Sequence, residues 1–148
     1  MSIPPGTWRI GRLGGVDLLI KPSIVLMGVV LVALFAPRFD DRSQSNPYAL
    51  AAAFVIALYV SVLVHELAHV FIARRFGMRV QSVTLHLLGG ETLIDGESRT
   101  PWQELTISIA GPLTSLAIGL AALSISGSMA GTVSDVLWSV GYVNVLVA

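Results

Sequence analysis

The chain has 148 residues, of which 54% are hydrophobic and only 12% are charged, and its mean hydropathy is +0.78. A soluble globule with so few charges would expose large apolar patches and aggregate, and a disordered chain would be poor in apolar residues. The net charge of zero provides no basic field for nucleic acid, and the absence of cysteine excludes disulfides and thiol catalysis. The class that remains is a multi-span membrane protein.

Residues 1–21 mix polar and apolar positions around the pair Gly14-Gly15. Two short stretches, 7–13 and 16–20, flank this pair, which is a pattern typical of a β-hairpin with a glycine turn. A segment that lies along the membrane surface is the alternative interpretation. The hairpin would place short strands ahead of the first membrane span.

The long apolar stretches predict four membrane spans, at residues 18–36, 48–73, 105–125 and 134–148. Lys21 lies near one end of the first span, and the polar residues 37–47 are interpreted as a loop. The uncharged residues 136–148 reach only about 20 Å as a helix, short of a hydrocarbon core of about 30 Å. We therefore expect the chain to be an N-terminal fragment that stops within its fourth span.

The region 78–96 separates the second and third spans. Residues 78–88 alternate between apolar and polar side chains, which predicts a strand, and Gly89-Gly90 ends it. The strand either pairs with an extended substrate or forms a structural hairpin, and the two glycines suit a closely packed re-entrant element. The predicted fold class is an all-α membrane protein with about four transmembrane helices and a small β element.

The basic residues set the expected orientation in the cell membrane. Seven of them flank the first span at its N-terminal side or lie between the second and third spans, against two in the first loop. Because cytoplasmic loops carry the excess of Lys and Arg, the N-terminus and the active-site side should be cytoplasmic. His65 precedes Arg74 by nine residues, or about 14 Å of helix, and so lies below that surface.

The second span carries the sequence His65-Glu66-Leu67-Ala68-His69. Histidines at i and i+4 share one helix face, so both imidazoles can bind one zinc ion, and the adjacent Glu66 is free to take a proton from a water. A carboxylate at the centre of a span costs about 2.5–3.5 kcal/mol on insertion scales, which favours function. The alternative is a hydrogen-bonded cluster that steadies helix packing.

Other polar and small residues are weaker candidates. Gly111, Ser115 and Gly119 form a small-residue stripe on the third span, which favours close helix packing over a direct substrate role. His86 is better interpreted as a solvated or hydrogen-bonded side chain than as a ligand. Asn144 either binds a substrate backbone or bonds to a neighbouring helix.

Several short motifs occur together: the His65–His69 sequence within a span, Gly89-Gly90 after a strand, Ala110-Gly111-Pro112 in the next span, and Asn144 in the last. In this combination the chain resembles the site-2 protease family of intramembrane zinc metalloproteases. Its N-terminal stretch, with Gly15 and Lys21-Pro22-Ser23, looks like the bacterial and archaeal branch that often carries CBS domains.

The resemblance implies an enzyme that cuts transmembrane substrates such as anti-sigma factors in regulated intramembrane proteolysis. It also implies Glu66 as the catalytic residue, His65 and His69 as Zn²⁺ ligands, and substrate contacts at Gly89, Gly90 and Asn144. The third zinc ligand of the family is an aspartate, expected here beyond Ala148, so we expect this fragment to be inactive. A homo-oligomer is compatible with the sequence. A membrane metal-ion transporter and a non-catalytic membrane scaffold are the alternative functions.

Overall fold

The computed structural model describes residues 4–40, 46–87, 89–96 and 98–148. Within these ranges the chain forms a four-stranded sheet and four helices. In chain order the elements are β1 (Trp8–Leu13), β2 (Val16–Ile20), α1 (Ser23–Asp40), α2 (Pro47–Arg75), β3 (Arg79–His86), β4 (Gly89–Asp95), α3 (Pro101–Ser126) and α4 (Thr132–Val147). The predicted fold class, a helical membrane protein with a small β element, is confirmed.

Among the described residues, α1, α2 and α3 are long and apolar enough to cross a membrane. The fourth helix, α4, has 16 residues and extends about 24 Å, which is less than a hydrocarbon core of about 30 Å. The longest helix, α2, starts at Pro47 after the cap residue Asn46, whose Oδ1 accepts a hydrogen bond from the Tyr48 N–H at 3.0 Å. It ends beside the cations Arg74 and Arg75.

The N-terminal prediction of a hairpin is confirmed. Strands β1 and β2 are antiparallel and turn at Gly14 and Gly15, both of which adopt positive φ angles that L side chains rarely take. The sheet order is β1-β2-β3-β4, with β2 and β3 parallel and β3 and β4 antiparallel. The parallel pair is possible because α1 and α2 form the long connection between its strands.

The predicted start of the first span, at residue 18, is wrong. Residues 18–20 belong to β2, and α1 begins at Ser23. The ladder continues to the end of the strand, where the Lys21 N–H donates to the Leu85 carbonyl at 2.9 Å, and Pro22 then allows the helix to start. Residues 18–20 therefore pair in the sheet, although their hydropathy alone would also have allowed them in a membrane helix.

The predicted loop 37–47 is also wrong in part. Helix α1 continues through Pro37 to Asp40, while residues 41–45 lie outside the described ranges. The last turn of α1 packs tightly on α2: Phe39 and Phe54 are fully buried, with ring centroids 6.3 Å apart, and Phe35 lies 4.8 Å from Phe54. This packing offsets the helical hydrogen bond that the proline removes.

The sheet packs on the C-terminal half of α2. A core of buried apolar side chains joins them, and it includes Val16, Val70, Ala73, Val83 and Ile107. Strand β3 lies between β2 and β4, so both of its edges are already paired. The suggestion that β3 pairs with a substrate is therefore wrong, and this strand has a structural role.

Candidate metal centre

Two imidazoles of α2 lie side by side, because His65 and His69 are one helical turn apart. Their ring centroids are 4.9 Å apart, with the ring planes at 72°. Helix α3 holds the Nδ1 atom of each ring. His69 Nδ1 lies 2.7 Å from the Ile107 carbonyl oxygen, and His65 Nδ1 lies 2.8 Å from Ser115 Oγ.

The contact between His69 Nδ1 and the Ile107 carbonyl determines which nitrogen of the His69 ring can bind a metal. A carbonyl oxygen only accepts hydrogen bonds, so His69 Nδ1 carries the proton and Nε2 keeps its lone pair. Ser115 Oγ can accept a hydrogen bond from His65 Nδ1 as well as donate one, so the same tautomer is open to His65. Metal-binding histidines in proteins are held in this way by a partner on the other ring nitrogen.

Gly111 of α3 lies next to the Nε2 atoms of both His65 and His69. A Cβ added at Gly111 would overlap the Nε2 atoms of both His65 and His69. Each Nε2 atom would lie 2.3 Å from that Cβ, so glycine allows both rings to pack against the helix backbone and brings the two Nε2 atoms close together. Imidazole nitrogen is a zinc ligand, so this pair of neighbouring donors fits two positions of a zinc site.

Glu66 is held from the opposite side by β4. The side chain of Glu66 is buried, with a residue exposure of 8%, and its Oε2 accepts a hydrogen bond of 2.7 Å from Thr92 Oγ1. A Cβ added at Gly90 would lie only 2.7 Å from Cδ and 2.8 Å from Oε1 of Glu66. Glycine at this position allows the strand to run directly against the carboxylate.

A cavity of about 320 Å³ opens beside these groups. It brings together five of the six predicted site residues, while His69 is not part of its wall. Asn144 is buried at 3% exposure, and its Nδ2 donates to the Val140 carbonyl of its own helix at 2.9 Å rather than to another helix. The cavity is lined by Leu58, Ser61, Val62, His65, Glu66, Gly89, Gly90, Ser115, Val143, Asn144 and Val147.

The small-residue stripe on α3 has two roles. At Gly119 it serves packing, since an added Cβ would lie 2.7 Å from Val145 Cγ2 and 2.9 Å from the Gly141 carbonyl oxygen of α4. At Gly111 and Ser115 it faces the histidines instead. The sequence favoured packing over a direct substrate role for this stripe, so the contacts of Gly111 and Ser115 with the histidines were not predicted, and neither was the contact of Thr92 with Glu66.

Among the described residues, no group of three His, Cys, Asp or Glu side chains is placed to hold a metal ion together. The centre therefore consists of two converging histidines and one adjacent carboxylate. Since a catalytic zinc site usually has three protein ligands, the residues present fit two of the three.

The comparisons with known proteins decide the family. The model of peptidase family M50 matches residues 53–146, which include the paired histidines, Glu66 and Asn144. The chain belongs to this family. The resemblance to the site-2 proteases inferred from the motifs is thereby confirmed.

Similar proteins are named as zinc metalloproteases. Rip3 of Mycobacterium tuberculosis, provisionally named a zinc metalloprotease, is 41% identical over 93% of this chain and 37% of its own length. A zinc metalloprotease of Methanocaldococcus jannaschii is 32% identical over 80% of this chain and 32% of its own length. The chain thus spans about a third of the curated relatives that it matches.

The fold agrees with that of a solved M50 protein. The structure of a site-2 protease from Methanocaldococcus jannaschii superposes with a TM-score of 0.66 and 26% identity. The match covers 96% of this chain and 65% of that one. The membrane-capable helices, the small sheet and the family names together describe a membrane protein of the zinc metalloprotease family.

Proposed function

We propose that the whole protein is an intramembrane zinc endopeptidase that hydrolyses peptide bonds in the transmembrane segments of membrane regulatory proteins. One observation carries this proposal: the Nε2 atoms of His65 and His69 lie close together against Gly111, on the same helix as the buried Glu66. These groups belong to α2, a helix of 29 residues that is apolar enough to span a bilayer. A site within such a helix suits a substrate that is itself embedded in the membrane.

His65 and His69 would hold the zinc ion, which polarises a carbonyl or water oxygen as a Lewis acid when it is bound. We propose an aspartate that follows Ala148 in the whole protein as the third ligand. Two facts support this: the chain spans about a third of its relatives, and the last turns of α4 line the cavity through Val143, Asn144 and Val147. Without that ligand, the present chain would bind zinc weakly and would not cleave.

Glu66 acts as the general base and then as the general acid. Its carboxylate takes a proton from the attacking water as the carbon–oxygen bond forms, and it returns a proton to the amide nitrogen as the carbon–nitrogen bond breaks. The hydrogen bond from Thr92 Oγ1 to Oε2 holds the carboxylate in one orientation during both transfers.

The cavity provides the place for the scissile segment. Backbone carbonyls of an intact substrate helix are already hydrogen-bonded, so the segment must unwind before it is cut. We propose that the unwound segment contacts Gly89 and Gly90 on one side and Asn144 on the other, since all three line the cavity beside Glu66. Single-span regulators such as anti-sigma factors are the substrates we propose, with the centre on the cytoplasmic side of the membrane.

A metal-ion transporter would need further intramembrane ligands on the neighbouring helices. The span predicted at residues 105–125 contains no His, Asp or Glu, and the part of α3 and α4 that faces the histidines offers Ser115 and Asn144. A non-catalytic scaffold would not require two histidine Nε2 atoms to lie next to each other on the same helix as a buried carboxylate. The site therefore favours hydrolysis over both alternatives.

Reconstitution tests this proposal. The whole protein, placed in vesicles with a single-span anti-sigma factor, is expected to cut that substrate within its transmembrane segment, at a bond located by mass spectrometry. Ortho-phenanthroline should abolish the cut and added zinc should restore it, because removal of the metal leaves the site without its Lewis acid. The meta isomer, which cannot chelate, is the control. Cleavage that persists under chelation contradicts the proposal.

A further inference from the structure

Three arginines surround a second cavity, also of about 320 Å³, at the end of α2 that leads out of the predicted span. No residue that lines the metal centre cavity belongs to it. The residues around it come from β1, the hairpin turn, α2, β3, β4 and the turn between α2 and β3. They are Arg12, Gly15, Arg74, Met78, Arg79, Val80, Gln81 and Asp95.

The arginines come from three separate elements. Arg12 lies opposite Asp17 in the hairpin ladder, with Nε 3.4 Å from Asp17 Oδ1, and Arg79 is the exposed first residue of β3. Arg74, in the last turn of α2, donates from Nη2 to the Gly14 carbonyl at 2.6 Å. These elements are tied together by the sheet and by this bond, so the three cations are preassembled rather than brought together by a ligand.

One acidic residue borders the cavity. Asp95 Oδ1 accepts a hydrogen bond from Gln81 Nε2. Arg12 also pairs with Asp17, which does not line the cavity, so the three arginines around the cavity are set against two carboxylates. Guanidinium groups present several N–H donors in a plane and match the oxygens of a phosphate group, so this charge balance favours an anionic ligand with phosphate chemistry.

The elements that supply two of the arginines, β1 and α2, also carry exposed apolar side chains. Strand β1, which supplies Arg12, exposes Trp8, Ile10 and Leu13, each by more than half. Phe71 of α2 lies one turn before Arg75, is 60% exposed, and carries the Arg75 guanidinium 5.7 Å from its ring centroid. Exposed aromatic and apolar side chains next to basic ones are typical of the headgroup region of a membrane.

We propose that Arg12, Arg74 and Arg79 form a binding site for the phosphate of an anionic phospholipid. The exposed apolar side chains of β1 and α2 favour a ligand with acyl chains over free phosphate, and the end of a membrane-spanning helix is the depth at which lipid phosphates lie. A lipid at this position binds across the joint between the β1–β2 hairpin and α2. It would anchor the sheet, and through it β4 and Glu66, to the membrane surface.

Native mass spectrometry of the chain in detergent tests the site, with phosphatidylglycerol and phosphatidylcholine of the same acyl chains as probes. The unmodified chain should retain phosphatidylglycerol in preference to phosphatidylcholine. Arg79→Gln and Arg12→Gln should each lower phosphatidylglycerol affinity about fivefold, since each removes one basic contact to an anionic headgroup. Arg79→Gln leaves the Arg12–Asp17 pair in place, so the test does not depend on that pair for folding.

Arg9→Gln is the matched control. Arg9 lies on the same strand as Arg12, with Nη1 3.6 Å from the same Asp17 Oδ1, but it does not line the cavity. Its replacement should change lipid affinity by less than about twofold. Unchanged phosphatidylglycerol binding in both Arg12→Gln and Arg79→Gln would overturn the proposal. Displacement of the lipid by excess inorganic phosphate would overturn the assignment to a lipid.

Discussion

Replacing Glu66 by glutamine in the whole protein is expected to lower the rate of substrate cleavage between about 10²- and 10⁴-fold, the range contributed by a general base. Glutamine has nearly the same shape and can still accept the hydrogen bond from Thr92 Oγ1 through its amide oxygen. It cannot take a proton from water. Because Glu66 is not one of the two converging donors, the zinc content should stay at that of the unmodified protein. Cleavage rate and zinc content are measured on the same preparation.

Glu104→Gln is the control for this substitution. Glu104 lies exposed in the first turn of α3, far along the helix from Ser115, and it does not line the cavity of the metal centre. Its replacement should leave the cleavage rate unchanged. If Glu66→Gln cleaved the substrate as fast as the Glu104 variant, the proton-transfer role of Glu66 would be wrong.

Gly111→Ala is expected to lower zinc affinity more than about 100-fold, beyond the 10- to 100-fold effects seen when outer partners of a metal site are removed. The added methyl group would lie 2.3 Å from the Nε2 atoms of both His65 and His69 and would force the two rings out of their present positions against α3. Alanine is the better helix former by about 1 kcal/mol, so α3 itself should not be weakened by the change. Zinc affinity is measured by competition with a chelator of known strength.

Gly28→Ala provides the comparison. Gly28 lies within α1, where an added Cβ would meet Tyr59 Cε2 at 3.8 Å, an ordinary contact. This variant should bind zinc as the unmodified protein does and fold normally. Equal zinc affinity in the Gly111 and Gly28 variants would show that the close packing of the two histidines on Gly111 is not needed for zinc binding.

The sequence was most informative where the chemistry is unusual for its surroundings. A pair of histidines and a carboxylate inside an apolar span identified α2 as the functional helix, and the resemblance built on that motif was confirmed. The alternating pattern before Gly89 predicted β3. Both signals are local, since a helix repeat or a strand repeat can be read within about ten residues.

The partners of those residues depend on long-range packing. Ser115 and Gly111 lie some 50 positions from His65, and Thr92 lies 26 positions from Glu66. Their roles follow from the rotation of α3 against α2 and from the register of β4. A stripe of small residues predicts that another helix approaches closely. It does not predict which side chains of that other helix lie against the stripe.

The boundary errors have a related cause. Leu18 fits both an apolar span and a half-buried strand, and only pairing with Val83 on β3 decides for the strand. Pro37 normally indicates the end of a helix. Here the aromatic contacts of Phe35 and Phe39 with Phe54 on α2 keep the helix intact for three further residues.

X-ray absorption at the zinc edge of the purified whole protein tests the central claim most directly. We predict one zinc ion per chain with two imidazole nitrogens at about 2.0–2.1 Å, and loss of both signals in the His65→Ala, His69→Ala double variant. A spectrum without imidazole ligands, or one that the double variant leaves unchanged, would contradict the assignment of these two histidines to the metal.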